Sequence, residues 1–265
     1  MAVQYWLPRT FLTRPGPQVK KEIINFKDTE VPEYEDFYAC VLDDVLSADE
    51  CFNLVRAAKA QMNEQWEEAG VNVGYGRQEL DPETRSCGRI IWDNSDLVAR
   101  IWARCQNHVP EILQLKDKPG ITGSGYLMRN QTYEMTQCNK RMRFLRYLDG
   151  NYFRREFSRA QTMHGLIPVL AHFDGNVRMH EDDDEEETSF ITMHLYLNEA
   201  DEDSLLVGGA TTFHATDMTG RHVDVVPKVG RVLLFQQKGL LHSGADVKRG
   251  IKYTMRTDVM YKRVR

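Results

Sequence analysis

From Arg141 onward the apolar residues fall in short runs, some alternating with polar positions and some continuous, separated by glycines and acidic turns. Successive side chains of a strand point to opposite faces, so this texture predicts an antiparallel β architecture. The expected strands are 142–148, 171–174, 189–198, 210–214, 222–226, 231–235 and 251–261. The stretch ahead of them has a helical period instead. Ser47 and Glu50 form a capping box before a stripe of Phe52, Val55, Ala58 and Met62. A second helix begins near Asn94 or Ser95 and carries Leu97, Val98, Ile101, Trp102 and Cys105 on one face. Both stripes predict core packing. Residues 1–33, with Arg14-Pro-Gly-Pro17 and Lys20-Lys-Glu22, read as an extended arm. The expectation is one domain over 34–265, mostly β with flanking α, its helical part spanning about 34–138 and its sheet part about 139–262.

Composition narrows the class. The 265 residues are 42% hydrophobic and 28% charged, which suits a soluble globular protein with a sizeable core. A net charge of -5 argues against a surface built to track nucleic acid. No apolar run approaches a membrane span, and the first residues show no secretory signal. Five cysteines without a Cys-x-x-Cys pair read as free thiols in a reducing compartment, the cytoplasm first and the nucleus as an alternative. The acidic tract at 181–187 reads as a solvated loop, since adjacent like charges repel.

The candidate chemistry lies in His172-Phe-Asp174. On an extended strand these two side chains share a face, so one short strand offers two metal ligands. His242 follows the apolar run Val232-Leu-Leu-Phe235 and offers a third. Two imidazoles and a carboxylate bind one side of a metal and leave the other side open, the arrangement of non-haem iron oxygenases. A lone His-x-Asp is an everyday surface triplet; the ordered set raises it above that background. Past a turn at 243–246, Lys252, Thr254 and Arg256 share one face of a further strand and can carry cations towards a dicarboxylate. Of the other histidines, His194 shares a strand phase with Tyr196 and reads as packing or support for a ligand, while His180 reads as a loop residue. Arg85 and Arg89 read as surface ion-pairing residues.

Several segments together resemble the prolyl 4-hydroxylase-like family of 2-oxoglutarate and iron(II)-dependent dioxygenases. They are Asn139-Lys-Arg-Met-Arg-Phe-Leu-Arg-Tyr147, Gly150-Asn-Tyr-Phe153, His172-Phe-Asp-Gly175, Ser189 through Asn198, Gly208-Gly-Ala-Thr-Thr-Phe213 and His242 through Lys252. The resemblance extends from about Asp36 to Lys262. It implies a double-stranded β-helix, or jelly roll, with N-terminal helices packed on it. His172, Asp174 and His242 would be the iron ligands, and Lys252 would pair with the distal carboxylate of 2-oxoglutarate. Tyr147, Tyr196 and Thr211 match positions beside that cosubstrate, and Arg256 is a rival or second anion contact. The implied cofactors are Fe(II), 2-oxoglutarate and O2, with ascorbate as an accessory reductant. The implied activity is hydroxylation of a peptidyl or small-molecule substrate, releasing succinate and CO2. Asp174 distinguishes the chain from related halogenases, which vacate the carboxylate position for halide.

One departure stands out. Tyr147 and His172 are further apart than in the family, and roughly 15 residues, 155–170, look inserted between them. The segment reads as a lid or substrate loop, or, as the favoured explanation, an in-frame retained intron. If it could not be expelled as a surface loop it would disturb the first ligand strand, and if it obstructed the pocket the chain would be a catalytically impaired jelly-roll binding protein that keeps its ligand residues.

Overall fold

The computed structural model describes residues 6–74, 77–80, 85–123, 130–153, 172–180, 186–200, 205–217 and 219–264. The elements that position the site are β1 (Lys20–Ile23), β2 (Ala39–Asp43), α1 (Ala48–Gln61), β3 (Gly88–Asp93), α2 (Ser95–Ala103), β4 (Thr132–Cys138), β5 (Arg141–Tyr147), β6 (Glu186–Tyr196), β7 (Thr211–His214), β8 (His222–Val225), β9 (Val232–Gln236), β10 (His242–Gly244) and β11 (Lys252–Val264). The major sheet runs β1-β2-β9-β6-β11-β5-β3, and β4 also pairs with β11. A minor sheet runs β8-β7-β10 and continues through Tyr152–Phe153 to Arg85–Ser86. Two antiparallel sheets facing one another are the expected jelly roll.

Alternation explains the layering. Met193 and Leu195 of β6, Met142 and Phe144 of β5 and Met255 of β11 join the core cluster with Leu54 and Ala58 of α1 and Leu97 and Ile101 of α2. Tyr196 of β6, Leu233 and Phe235 of β9 and Phe213 of β7 form a second cluster between the sheets. Strand β9 serves both layers, so Val232, Leu233, Leu234, Phe235 and Gln236 are all buried. A strand covered on both faces loses its polar alternation, hence the continuous apolar run in its sequence.

The capping box of α1 forms as expected, with Ser47 Oγ accepting from Glu50 N and Glu50 Oε2 accepting from Ser47 N. Its buried stripe is Cys51, Leu54, Val55, Ala57 and Ala58, and Phe52 is 61% exposed, one residue out of phase with the expected stripe. The face of α1 is set by the sheet beneath it, and Cys51 and Leu54 fill that space. In α2, capped by Asn94, Leu97, Val98, Ile101 and Trp102 are buried as expected.

Two expectations for the N-terminal half need correction. Lys20–Ile23 is an edge strand of the major sheet, and Phe26 and Val31 are fully buried, so the arm from Lys20 onward is part of the fold. The charges of Lys20, Lys21 and Glu22 suit a strand with one side exposed to water and guard it against further pairing. The stretch 34–138 also holds β2, β3 and β4, all paired into the major sheet, and is mixed rather than helical. Ala39 to Leu42 of β2 are all buried, so the strand has no polar alternation and its short apolar run is one that a helix shares.

No helix among the described residues is long and apolar enough to cross a membrane. The segment 155–170 lies outside the described residues. Despite it, His172 N donates to His242 O at 2.7 Å and His242 N donates to His172 O at 2.9 Å. This isolated bridge replaces the expected strand 171–174, and it still brings the first ligand position to β10. The first ligand position is therefore not displaced.

Candidate metal and cosubstrate site

The backbone bridge sets His172 beside His242, their ring centroids 4.3 Å apart. Phe173 is 43% exposed while His172 and Asp174 are buried, so the alternation of an extended segment survives without a ladder. Asp174 Oδ1 lies 3.7 Å from His172 Nε2, and Asp174 Oδ2 lies 3.6 Å from His242 Nε2. One ligand atom from each residue falls within 4.8 Å of the others. His242 Nδ1 is 2.9 Å from Leu240 O, and because a carbonyl only accepts, the proton belongs on Nδ1 and the Nε2 lone pair faces the cluster. The rings of Phe235 and Phe213 wall His242 at 4.8 and 6.3 Å.

The charge states suit a metal. Burial, with His172 beside it, pushes His242 down to about 3, so the imidazole is neutral. Burial alone would raise Asp174, but the Arg256 guanidinium and the two imidazoles outweigh it and hold the carboxyl well below its ordinary range. Two imidazoles and an ionised carboxylate are the donor set of a facial triad, and they fit Fe(II).

The second part of the site lies deeper between the sheets. Lys252 stands opposite Tyr147 in the β5–β11 register, and its Nζ sits 5.2 Å from the Tyr147 ring centre and 5.7 Å from that of Tyr196. Tyr196 Oη donates to Thr211 Oγ1 at 2.6 Å, which ties β6 of the major sheet to β7 of the minor one. Gly209, at φ +74°, passes so close that a Cβ there would stand 3.0 Å from Lys252 Cδ. The Gly-Gly-x-Thr turn thus packs directly on the lysine stem. Burial lowers Lys252 to about 8, and among the described residues no carboxylate pairs with it.

Arg256 is on the same strand face but turned towards the metal cluster. Its Nη2 is 2.8 Å from Asp174 Oδ2 and 3.8 Å from Asp258 Oδ1. His194 is cross-strand neighbour to Arg256, its ring 4.8 Å from that of Tyr196, and burial together with Lys252 and Arg256 holds it well below its usual range. It lies outside the metal-capable group and keeps the packing role expected of it.

Sequence reasoning missed a buried polar network behind the triad. Thr192 Oγ1 donates to Asp174 Oδ2 at 2.8 Å. Gln237 Nε2 donates to Asp258 Oδ1 at 3.0 Å, and Arg143 Nη1 donates to Asp258 Oδ2 at 3.1 Å. Period two offered a signal, for Thr192 is in phase with His194 and Tyr196, and Asp258 with Arg256 and Lys252.

Other candidates stay outside. His214 meets Ser243 Oγ at 2.7 Å, and His222 Nδ1 meets Gly220 O at 2.8 Å. His164 lies outside the described residues, and His180 ends the strand Arg178–His180 that pairs with β6, where a loop was expected. Arg89 makes an ion pair with Glu67 at 3.9 Å, the role expected of it. Of the acidic tract, 181–185 lie outside the described residues. Glu186 and Glu187 open β6, and Glu187 is buried and accepts from Gln137 Nε2 at 2.9 Å. The solvated-loop reading fails at its last two residues because the strand begins there.

Residues 168–257 match the family model of the 2OG-Fe(II) oxygenase superfamily. The match begins in the last residues of the extra segment and is shorter than the sequence resemblance. It includes His172, Asp174, Tyr196, Thr211, His242, Lys252 and Arg256, while Tyr147 precedes it. No curated protein matches the chain. Among solved structures, a Pseudomonas putida prolyl-4-hydroxylase is similar over 83% of this chain and 91% of its own, at 16% identity and a TM-score of 0.50. A Trichoplax adhaerens prolyl hydroxylase, solved with a hypoxia inducible factor oxygen degradation domain peptide fragment, is similar over 83% and 82%, at 12% identity and a TM-score of 0.51. At these identities the likeness is one of fold. The jelly roll, the His-Asp-His cluster and the match of the segment that holds them make residues 168–257 similar to the 2OG-Fe(II) oxygenase superfamily.

Proposed function

We propose that His172, Asp174 and His242 ligate Fe(II), that Lys252 holds the distal carboxylate of 2-oxoglutarate between Tyr147 and Tyr196, and that the enzyme hydroxylates a C–H bond of a peptidyl or small-molecule substrate. The observation that carries this reading is the pairing of a metal-capable cluster with a buried lysine that no carboxylate among the described residues neutralises. Bound iron supplies the oxidising chemistry, coupling decarboxylation of 2-oxoglutarate to oxygen insertion with release of succinate and CO2. The chain's own residues do the positioning. Leu240 O fixes the His242 tautomer, and Thr192 and Arg256 hold Asp174. Lys252 and the Tyr196–Thr211 hydroxyl pair receive the far end of the dicarboxylate. The aromatic walls keep that end dry, which strengthens the ion pair.

Five buried free thiols support a reducing compartment, the cytoplasm or the nucleus. A peptidyl substrate is supported by the peptide complex of the Trichoplax enzyme. The test is iron-dependent conversion of 2-oxoglutarate to succinate by the purified chain, abolished in His172→Ala. A folded, iron-loaded protein that neither binds nor converts 2-oxoglutarate would overturn the reading.

A further inference from the structure

The two oxygens of Asp174 are not equivalent. Oδ2 receives Thr192 Oγ1 at 2.8 Å and Arg256 Nη2 at 2.8 Å, which uses both of its lone-pair directions. Oδ1 faces the His172 imidazole, 3.7 Å from its Nε2, and Oδ2 is as near His242 Nε2, at 3.6 Å, but is the oxygen that Thr192 and Arg256 already engage. The donors on Oδ2 are themselves held in place. Thr192 is fully buried in β6. Arg256 lies between Asp174 and Asp258, and Asp258 is fixed by Gln237 and Arg143. Turning the carboxylate to offer both oxygens to a metal would break two hydrogen bonds and strand a largely buried guanidinium.

We infer that Arg256, with Thr192, is a positioning residue that confines Asp174 to coordination through Oδ1 alone, and so sets how many positions on the metal remain open. The inference rests on the iron and 2-oxoglutarate reading above. A 2-oxo acid chelate takes two positions and dioxygen a third. A metal held by two imidazoles and one carboxylate oxygen in octahedral geometry has three to give, whereas a carboxylate bound through both oxygens leaves two. Arg256 therefore preserves the third position, acting through Asp174 without touching the cosubstrate. This separates it from Lys252, whose charge meets the ligand directly.

Nitric oxide, a dioxygen surrogate with a distinctive electron paramagnetic resonance signal on ferrous iron, reads that position without turnover. Anaerobic Fe(II) protein is titrated first with 2-oxoglutarate, followed by the charge-transfer absorbance of its chelate, and then with nitric oxide. The wild type is expected to hold both together. The double variant Arg256→Met with Thr192→Val is expected to bind Fe(II) as tightly or more tightly, and to bind nitric oxide normally without 2-oxoglutarate. With saturating 2-oxoglutarate its nitric oxide affinity is expected to fall about tenfold or more, within the range seen when a residue supporting a metal ligand is lost. Arg256→Lys, which keeps a cation on Oδ2, is expected to behave as wild type, and Thr192→Val alone to show a smaller shift of the same sign. These two variants decide the matter if the double variant does not fold. Unchanged nitric oxide binding beside 2-oxoglutarate, or a folded variant that has lost Fe(II), overturns the inference. A wild type that forms no chelate overturns the underlying reading instead.

Discussion

Lys252 and Arg256 lie on one face of β11, and the protein treats the two cations in opposite ways. Arg256 stands between two carboxylates, Asp174 and Asp258, and its charge is used inside the fold. Lys252 stands between two aromatic rings with no acid paired to it among the described residues, and burial lowers its pKa to about 8. A buried charge without a partner is costly, so its retention points to a partner that arrives with the ligand. Residue type alone would have favoured Arg256 as the bidentate carboxylate binder. The surroundings, not the residue type, assign the tasks.

The largest effect that tests this contrast comes from Asp174→Asn. It removes a proposed metal ligand and one of the two acids facing Arg256. Iron binding and 2-oxoglutarate turnover are expected to fall by more than the roughly 10–100-fold typical of losing a group that merely supports a ligand. Iron titration of the folded variant checks this. Retained iron affinity would break the assignment of Asp174.

Next is Lys252→Met, which keeps the packing and deletes the charge. A hydrogen bond to a charged group contributes about 1.5–3 kcal/mol, so 2-oxoglutarate affinity is expected to drop roughly 10–100-fold. Iron affinity should be unchanged, and the ligand-free variant should melt higher because an uncompensated buried charge is gone. If affinity instead collapses in Arg256→Met and survives in Lys252→Met, the roles are exchanged.

A gentler test uses pH. The folded pKa of Lys252, about 8, lies below its ordinary 10.5, so the folded chain holds the lysine proton less tightly than the unfolded chain does. The cost of the buried ammonium is therefore fully present below pH about 8 and is relieved as pH rises towards 10.5. Binding has the opposite sign, because 2-oxoglutarate needs the ammonium and its affinity should weaken as pH rises through about 8. Calorimetric titration from pH 7 to 9.5 follows this, and the dependence should vanish in Lys252→Met.

The smallest effect is Ser47→Ala, far from both cations. Loss of the α1 cap costs about 1 kcal/mol, a few degrees of melting temperature, with no change in iron or 2-oxoglutarate affinity. A change in either affinity would show that the helical layer is coupled to the site.

Much of this molecule could be read along the chain. The strand run from Arg141, the capping box at Ser47, the α2 stripe and the His-x-Asp, His242 and Lys252 set all follow from period and spacing, which are local properties. What went unread was non-local. Phe52 and Cys51 are equally plausible stripe members until the sheet beneath α1 is placed. Lys20–Ile23 is exposed throughout and opens with three charged residues, and only its pairing with β2 makes it a strand. Thr192 and Asp258 are ordinary residues until β6 and β11 bring them behind the triad.

The sequence by itself determined the donor set, its order along the chain and the face that Lys252, Thr254 and Arg256 share, because strand alternation is written in adjacent residues. The tertiary structure decided that His172 reaches His242 despite the extra segment, that Arg256 pairs with Asp174, and that Lys252 is buried between Tyr147 and Tyr196. Those outcomes depend on which charges end up a few ångströms apart in a dry interior, where pairing decides the role of each ion.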